Sequence, residues 1–336
     1  MNIKELEEID SKKMYQVYDN CFENAKENYE KEFDIPDFKN IDHVVFAGMG
    51  GSGTIGDIFS SILSKNDIHT TIIKGYLLPK TVDEKTLVLT TSISGNTEET
   101  LTVLKNSLET NAKIIAVSSG GKLEELSKKY DRIRYYKIDE MHSPRSSLFG
   151  VLYSTLNILQ DLIPIKKIDI EESLSELKIL QNKISSRNLS DTNDALNLAK
   201  WIKNIPIVYY PAGLQSVAIR FKNSLQENAK THVITEDVIE MCHNGIVAWE
   251  EKNNIQPILI QGKDDYRKTK ERWNILKEFF SKNNIDYREI FSNSGSILSK
   301  IVYLMYYVDY VSIYRSVLSG IDPSPVKSID FVKSKL

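Results

Sequence analysis

Residues 43–57 (HVVFAGMGGSGTIGD) and residues 86–101 (TLVLTTSISGNTEETL) share one grammar. Each is an apolar run, then a turn of small residues, then a helix start. A short apolar run bounded by turn residues is a buried strand. Repeating it with a helix after each turn calls for a parallel sheet covered on both faces. Two such turns at the carboxyl ends of neighbouring parallel strands make a pocket for an anion.

The rest of the first half continues the alternation. Strands are expected at 43–48, 69–74, 86–91, 113–118 and 132–137, with helices at Thr54–Ser64 and 97–109. A mostly apolar helix is expected from Pro144 to Leu162. Before them, Leu6, Ile9, Met14, Val17, Tyr18 and Cys21 recur at helical spacing, predicting one or two amphipathic helices over 1–33, ended by Pro36. Residues 169–186 form a polar amphipathic helix that serves as the connector, placing the boundary within 165–190. Residues 1–165 and 166–336 are therefore expected to be two α/β domains, each a doubly wound parallel sheet of flavodoxin type with flanking helices. In the second half, strands are predicted at 205–210, 231–235, 255–261 and 286–291, and helices at 214–229, 266–282 and 295–317. Its first strand–helix turn reads YPAGLQS where the first half has AGMGGSG, so one anion site per chain is expected, in the first half.

Composition narrows the partners. At 336 residues, 41% hydrophobic and 26% charged, the chain can bury two ordinary cores. A net charge of −3 argues against nucleic acid as partner. Two cysteines far apart build no disulfide framework, which points to a reducing cytoplasm. The opening MNIKELEEIDSKK lacks the apolar core of a signal peptide, and no apolar run is long enough to span a membrane.

The first turn satisfies GxGxxG at Gly48, Gly50 and Gly53, but a dinucleotide site expects an acid at the end of the second strand to hold the ribose. That strand instead ends Ile72-Ile73-Lys74-Gly75, and no Lys-Ser/Thr closes a Walker loop. The second turn, Ser92-Ile93-Ser94-Gly95-Asn96-Thr97, places three hydroxyls at one helix start. Helix N-termini offer unpaired N–H groups and a positive dipole end, to which hydroxyls add neutral donors. An ordinary cap by Asn96 or Thr97 explains one hydroxyl and leaves two without a purpose.

SISGNTEET at 92–100 after the GMGGSG turn resembles the sugar isomerase (SIS) domain. Two such domains in a chain of this length resemble the phosphoglucose isomerase superfamily, and within it the archaeal-type bifunctional phosphoglucose/phosphomannose isomerases. Ser143-Pro144-Arg145-Ser146-Ser147-Leu148, Gln226-Glu227-Asn228-Ala229-Lys230, the segment from Cys242-His243-Asn244 to Trp249-Glu250, and the tail Ser319–Val326 followed by Lys333 extend the match over nearly the whole chain. The resemblance implies phosphate binding by Gly51 (backbone), Ser52, Ser92, Ser94 and Thr97, and stabilisation of an enediolate by Arg145. It implies Glu227 as the base between C1 and C2 of the sugar. His243 and Lys333 would assist ring opening, with His243 donated across a homodimer interface. It implies neither metal nor other cofactor. The chain departs from the pattern at Gly245, where an acid is expected, and at Ala248, Ile93 and Ser324.

The chemistry is consistent with these residue types. Aldose–ketose isomerisation needs proton shuttling at the ring, a base at carbon, a cation for the enediolate and a remote anchor. The five histidines (His43, His69, His142, His232, His243) are scattered and form no metal motif. Each residue also has a plain alternative. Glu227 lies off the apolar stripe Leu214, Val217, Phe221, Leu225 and reads as a solvated glutamate, although a helix C-terminus disfavours its charge. Arg145 reads as a surface arginine, Cys242 beside His243 as a poor thiol nucleophile, and Lys333 as one lysine in a charged tail. Small residues near C2 of the sugar, Gly245 among them, are expected to leave room for rotation about C2–C3. Such rotation lets one base make both epimers. The alternatives are a phosphosugar isomerase of single specificity and a non-catalytic sugar-phosphate sensor.

Overall fold

The structure, a computed structural model, describes residues 1–335. Three short helices open it: α1 (Ile3–Ile9), α2 (Met14–Asp19) and α3 (Cys21–Tyr29). Then follow β1 (His43–Ala47), α4 (Gly50–Leu63), β2 (His69–Ile73), β3 (Thr86–Thr91), α5 (Glu98–Ser107), β4 (Lys113–Ser118), α6 (Gly121–Lys129), β5 (Ile133–Lys137) and α7 (Leu148–Ile158). The chain divides into two compact units: Asn20–Leu174, and Met1–Asp19 together with Ser175 onward.

In the 20–174 unit the five strands are all parallel in the order β2-β1-β3-β4-β5. That is the flavodoxin-like doubly wound order, whose direction reverses between β1 and β3. Alternate residues of β1 serve opposite faces, as strand periodicity demands. Val45 and Ala47 pack with Val88, Ile73 and Val103 of α5. Phe46 stacks on Phe59 of α4, ring centroids 5.2 Å apart. Gly56 lets α4 approach the sheet, because a Cβ there would meet Phe46 Cβ at 2.9 Å.

The helix α8 (Lys167–Ile184) and α9 (Asp194–Trp201) lead into β6 (Ile205–Tyr210), α10 (Gln215–Ala229), β7 (Ile234–Asp237) and α11 (Val238–Met241). A 3₁₀ turn over Gly245–Glu250 precedes β8 (Ile255–Gln261), α12 (Arg267–Lys282), β9 (Arg288–Phe291), α13 (Ile297–Leu318) and α14 (Lys327–Lys333). This sheet is again parallel, in the order β7-β6-β8-β9. On one face Trp273, Leu276 and Phe280 of α12 pack on Ile207, Tyr209 and Leu259. On α13 nearly every residue from Leu298 to Val317 is buried, as expected of a helix apolar all round. Its one buried acid, Asp309, takes a two-point ion pair from Arg220 (2.7 and 2.8 Å) and a hydrogen bond from Ser224 (2.7 Å), while Asn228 donates to Ser312 (2.9 Å). Residues 220, 224 and 228 share one face of α10. That face is locked to α13, and Glu227 flanks it. Among the described residues, no helix is long and apolar enough to cross a membrane.

Several local expectations shift. The amino-terminal segment is three helices, broken around Asp10–Lys13 and at Asn20. α4 begins at Gly50, so Gly51 and Ser52 belong to its first turn and not to a preceding loop. The expected helix start at Pro144 is replaced by a serine-knit turn, and α7 begins at Leu148.

Candidate functional site

In the 20–174 unit the turns after β1 and β3 lie side by side at the carboxyl end of the sheet, flanking the reversal point. There the crossovers leave a crevice where doubly wound sheets bind ligands. The fit between the turns is backbone on backbone. A Cβ on Gly48 would meet Thr91 O at 2.9 Å, and one on Gly53 would meet Gly48 O at 2.7 Å. Gly95, at φ +65, would place a Cβ 1.8 Å from Gly120 O, so the β4–α6 turn packs against the second turn.

The hydroxyls are not spent on capping. Met49 and Thr97 are the N-cap residues of α4 and α5, and neither caps through its side chain. The Thr97 hydroxyl instead pairs with Ser92 Oγ at 2.8 Å. Asn96 Oδ1 accepts from Lys122 N (3.1 Å), the neighbouring turn, and Ser94 Oγ accepts a long bond from Asn96 N (3.3 Å). Ser92 is buried at the floor, whereas Gly51, Ser52, Ser94 and Thr97 are partly open. Two helix N-termini thus begin at the crevice, with Ser52 in the first turn of one and Ser94 and the Ser92–Thr97 pair at the start of the other, neutral donors suited to a phosphate dianion.

Lys74 occupies the place where a dinucleotide site carries its ribose acid. Its Nζ binds both carboxylate oxygens of Asp57 on α4 (2.6 and 2.8 Å), and its Cε lies 3.3 Å from where a Gly53 Cβ would stand. Sequence reasoning used Lys74 only as a missing acid. Its proximity to the glycine turn becomes visible once β2 is laid beside β1.

Arg145 sits in the connection that leaves the carboxyl end of β5, and it is 7% exposed, not a surface arginine. Serines build its turn. Ser143 O accepts from the Ser146 and Ser147 hydroxyls (3.0 and 2.9 Å), and Ser147 Oγ accepts from Met141 N (2.9 Å). A buried guanidinium held on a rigid turn is a fixed positive charge.

The other three residues lie in the second unit. Glu227 is half-buried in the last turn of α10, and its charge reaches Arg220. Burial alone would lower the Arg220 guanidinium, but Asp309, Tyr18 and Glu227 outweigh it and hold it raised. His243 is exposed in the turn after α11, and Lys333 is exposed at the end of α14. Topology separates them. α10 runs back along the sheet from the carboxyl end of β6, so Glu227 sits near the strands' amino ends. β7 then returns to the carboxyl end, where His243 follows. The helix between spans about 20 Å at 1.5 Å per residue. The tail carrying Lys333 meets the Glu227 end, since Lys230 Nζ donates to Pro325 O at 2.7 Å.

One expectation about this region changes. Gly245 opens no room, because the Glu236 carboxylate lies 2.6 Å from where its Cβ would be. That carboxyl is pushed up by burial and by Glu240 and Asp237. The Cys242 thiol is pushed up by burial, which disfavours the thiolate a nucleophile needs. Among the described residues no group of three or more His, Cys, Asp or Glu could hold a metal ion.

Residues 37–159 match the SIS domain family, and residues 191–336 match the bacterial phospho-glucose isomerase C-terminal SIS domain. The chain is 34% identical over 308 residues to the bifunctional phosphoglucose/phosphomannose isomerase of Caldicellulosiruptor bescii, covering 89% of this chain and 90% of that one. It is 30% identical over 255 residues to the D-glucosamine-6-phosphate 4-epimerase of Sulfolobus acidocaldarius, covering 72% and 76%. In fold it is similar to a hypothetical protein of Thermus thermophilus, with a TM-score of 0.76 at 13% identity, covering 98% of this chain and 92% of that one.

Proposed function

The chain belongs to the bifunctional phosphoglucose/phosphomannose isomerase family, and from that premise we propose that it interconverts glucose 6-phosphate and mannose 6-phosphate with fructose 6-phosphate through a cis-enediolate. The observation that carries this reading is the pair of helix N-termini at the β1/β3 reversal, with the Ser92–Thr97 hydroxyl pair at the start of the second. Gly51, Ser52, Ser92, Ser94 and Thr97 anchor the phosphate. The fixed charge of Arg145 stabilises the enediolate. Glu227 moves the proton between C1 and C2. His243 and Lys333 handle the ring oxygen and anomeric hydroxyl. The enzyme acts in the cytoplasm without a cofactor.

The working form is a homodimer. Glu227 and His243 occupy opposite ends of one unit, which supports a site completed by His243 of a second copy.

Glu227→Gln is expected to lower kcat for fructose 6-phosphate by about 100-fold or more while KM stays near its original value. Ser94→Ala should mainly raise KM. Near-normal turnover in Glu227→Gln would remove it as the base. A wild-type enzyme that leaves mannose 6-phosphate untouched would end the bifunctional assignment, and inversion at C4 of glucosamine 6-phosphate would move the chain to the epimerase branch.

A further inference from the structure

Lys230 closes α10 in the left-handed conformation, φ 54 and ψ 34, a position glycine normally takes because a Cβ there is strained. The strain is offset by what its side chain does. The ammonium donates to the carbonyl oxygen of Glu227 at 2.5 Å and to that of Pro325 at 2.7 Å. The first partner is one of the carbonyls that a helix C-terminus leaves without an intrahelical donor, and the cation lies at the negative end of the helix dipole. The second belongs to the tail. That tail is fastened upstream as well. Ser316 Oγ donates to Ile321 O (2.5 Å) and Ser11 Oγ to Asp322 (2.5 Å), and Asp322 accepts from Ser324 N (2.9 Å). Of these fastenings, the Lys230 contact is the one made to residue 227 itself. Two residues beyond Pro325, α14 begins, and Lys333 ends it.

We propose that Lys230 is a positioning residue. It latches the tail, and with it Lys333, to the end of α10 that carries Glu227, and so keeps the ring-opening group and the proton-transfer group at one spacing. The proposal rests on the assignment of Glu227 and Lys333 to the reaction.

Lys230→Gly separates this role from a structural one. Glycine is better suited to the backbone angle, so the melting temperature should hold or rise. Yet kcat for fructose 6-phosphate should fall about 10- to 100-fold through loss of alignment, with KM held by the untouched phosphate turns. Amide hydrogen exchange over residues 326–333 should quicken. Lys230→Arg, which keeps donors for two carbonyls, should recover part of kcat. Added to Lys333→Met, Lys230→Gly should cost little more, because the group it positions is already gone.

A folded Lys230→Gly with wild-type kcat overturns the latch, and so does a parallel fall of kcat and melting temperature. The two readings fail separately. Turnover surviving in Glu227→Gln removes the catalytic assignment. A dead Glu227→Gln beside a normal Lys230→Gly removes the latch alone.

Discussion

At the residue scale, burial decides between the plain and the functional alternatives. Arg145 is 7% exposed, on a turn whose serine hydroxyls close on one carbonyl, so its charge is fixed in place and its desolvation must be balanced by what it faces. Thr97 caps nothing, and its hydroxyl is committed to Ser92. His43 illustrates burial without a role in the reaction. It sits at the start of β1 with Nε2 2.9 Å from Thr71 Oγ1, and burial followed by the neighbouring His69 pushes its imidazole below the ordinary 6.5. A histidine depressed in the folded state is protonated first in the unfolded chain. Stability is therefore full above 6.5 and declines as pH falls through it, until the folded form also takes up the proton. His43→Gln, which keeps an amide donor for Thr71, should flatten that decline. Urea midpoints measured between about pH 5 and 7 check it, and an unchanged slope would mean that another group carries it.

At the scale of elements, the turns matter more than the strands they follow. Gly95→Ala forces a Cβ against the Gly120 carbonyl and strains a positive φ, with no flexible side chain to give way. It should cost about 1–3 kcal/mol of stability and raise KM for fructose 6-phosphate, while Gly75→Ala, with open space around it, should do neither. Thermal melts and steady-state kinetics of the two variants decide. The elements legible in the sequence were those with one dominant cause. Strands 86–91, 113–118, 205–210 and 255–261 are found where their apolar runs end, because each is shut off by turn residues and buried centrally. The start of α4 was displaced because glycines in a first helical turn look like loop. The start of α7 was displaced because two serine hydroxyls hold the chain in a turn past Pro144. Of the site, the phosphate turns were legible because their chemistry is local. The Lys74–Asp57 pair and the Lys230 bridge were not, since each joins residues that only the folded chain brings together.

At the scale of the whole molecule, the distance along α10 makes a prediction about assembly. If Glu227 of one copy works with His243 of another, Glu227→Gln and His243→Ala proteins, each inactive alone, should regain turnover after being mixed, dissociated and reassociated, since the hybrid holds one intact site. Mixtures as inactive as their parts would place both groups in a site made by one chain. The Lys74–Asp57 pair bears on which ligands the first turn admits. In dinucleotide-binding sheets with a glycine-rich first turn, an acid near the end of the second strand captures the ribose. Here that capture is blocked by two charges, not one. Reversing Lys74 alone would set two carboxylates against each other beside Gly53, so an acid there would need Asp57 to change as well.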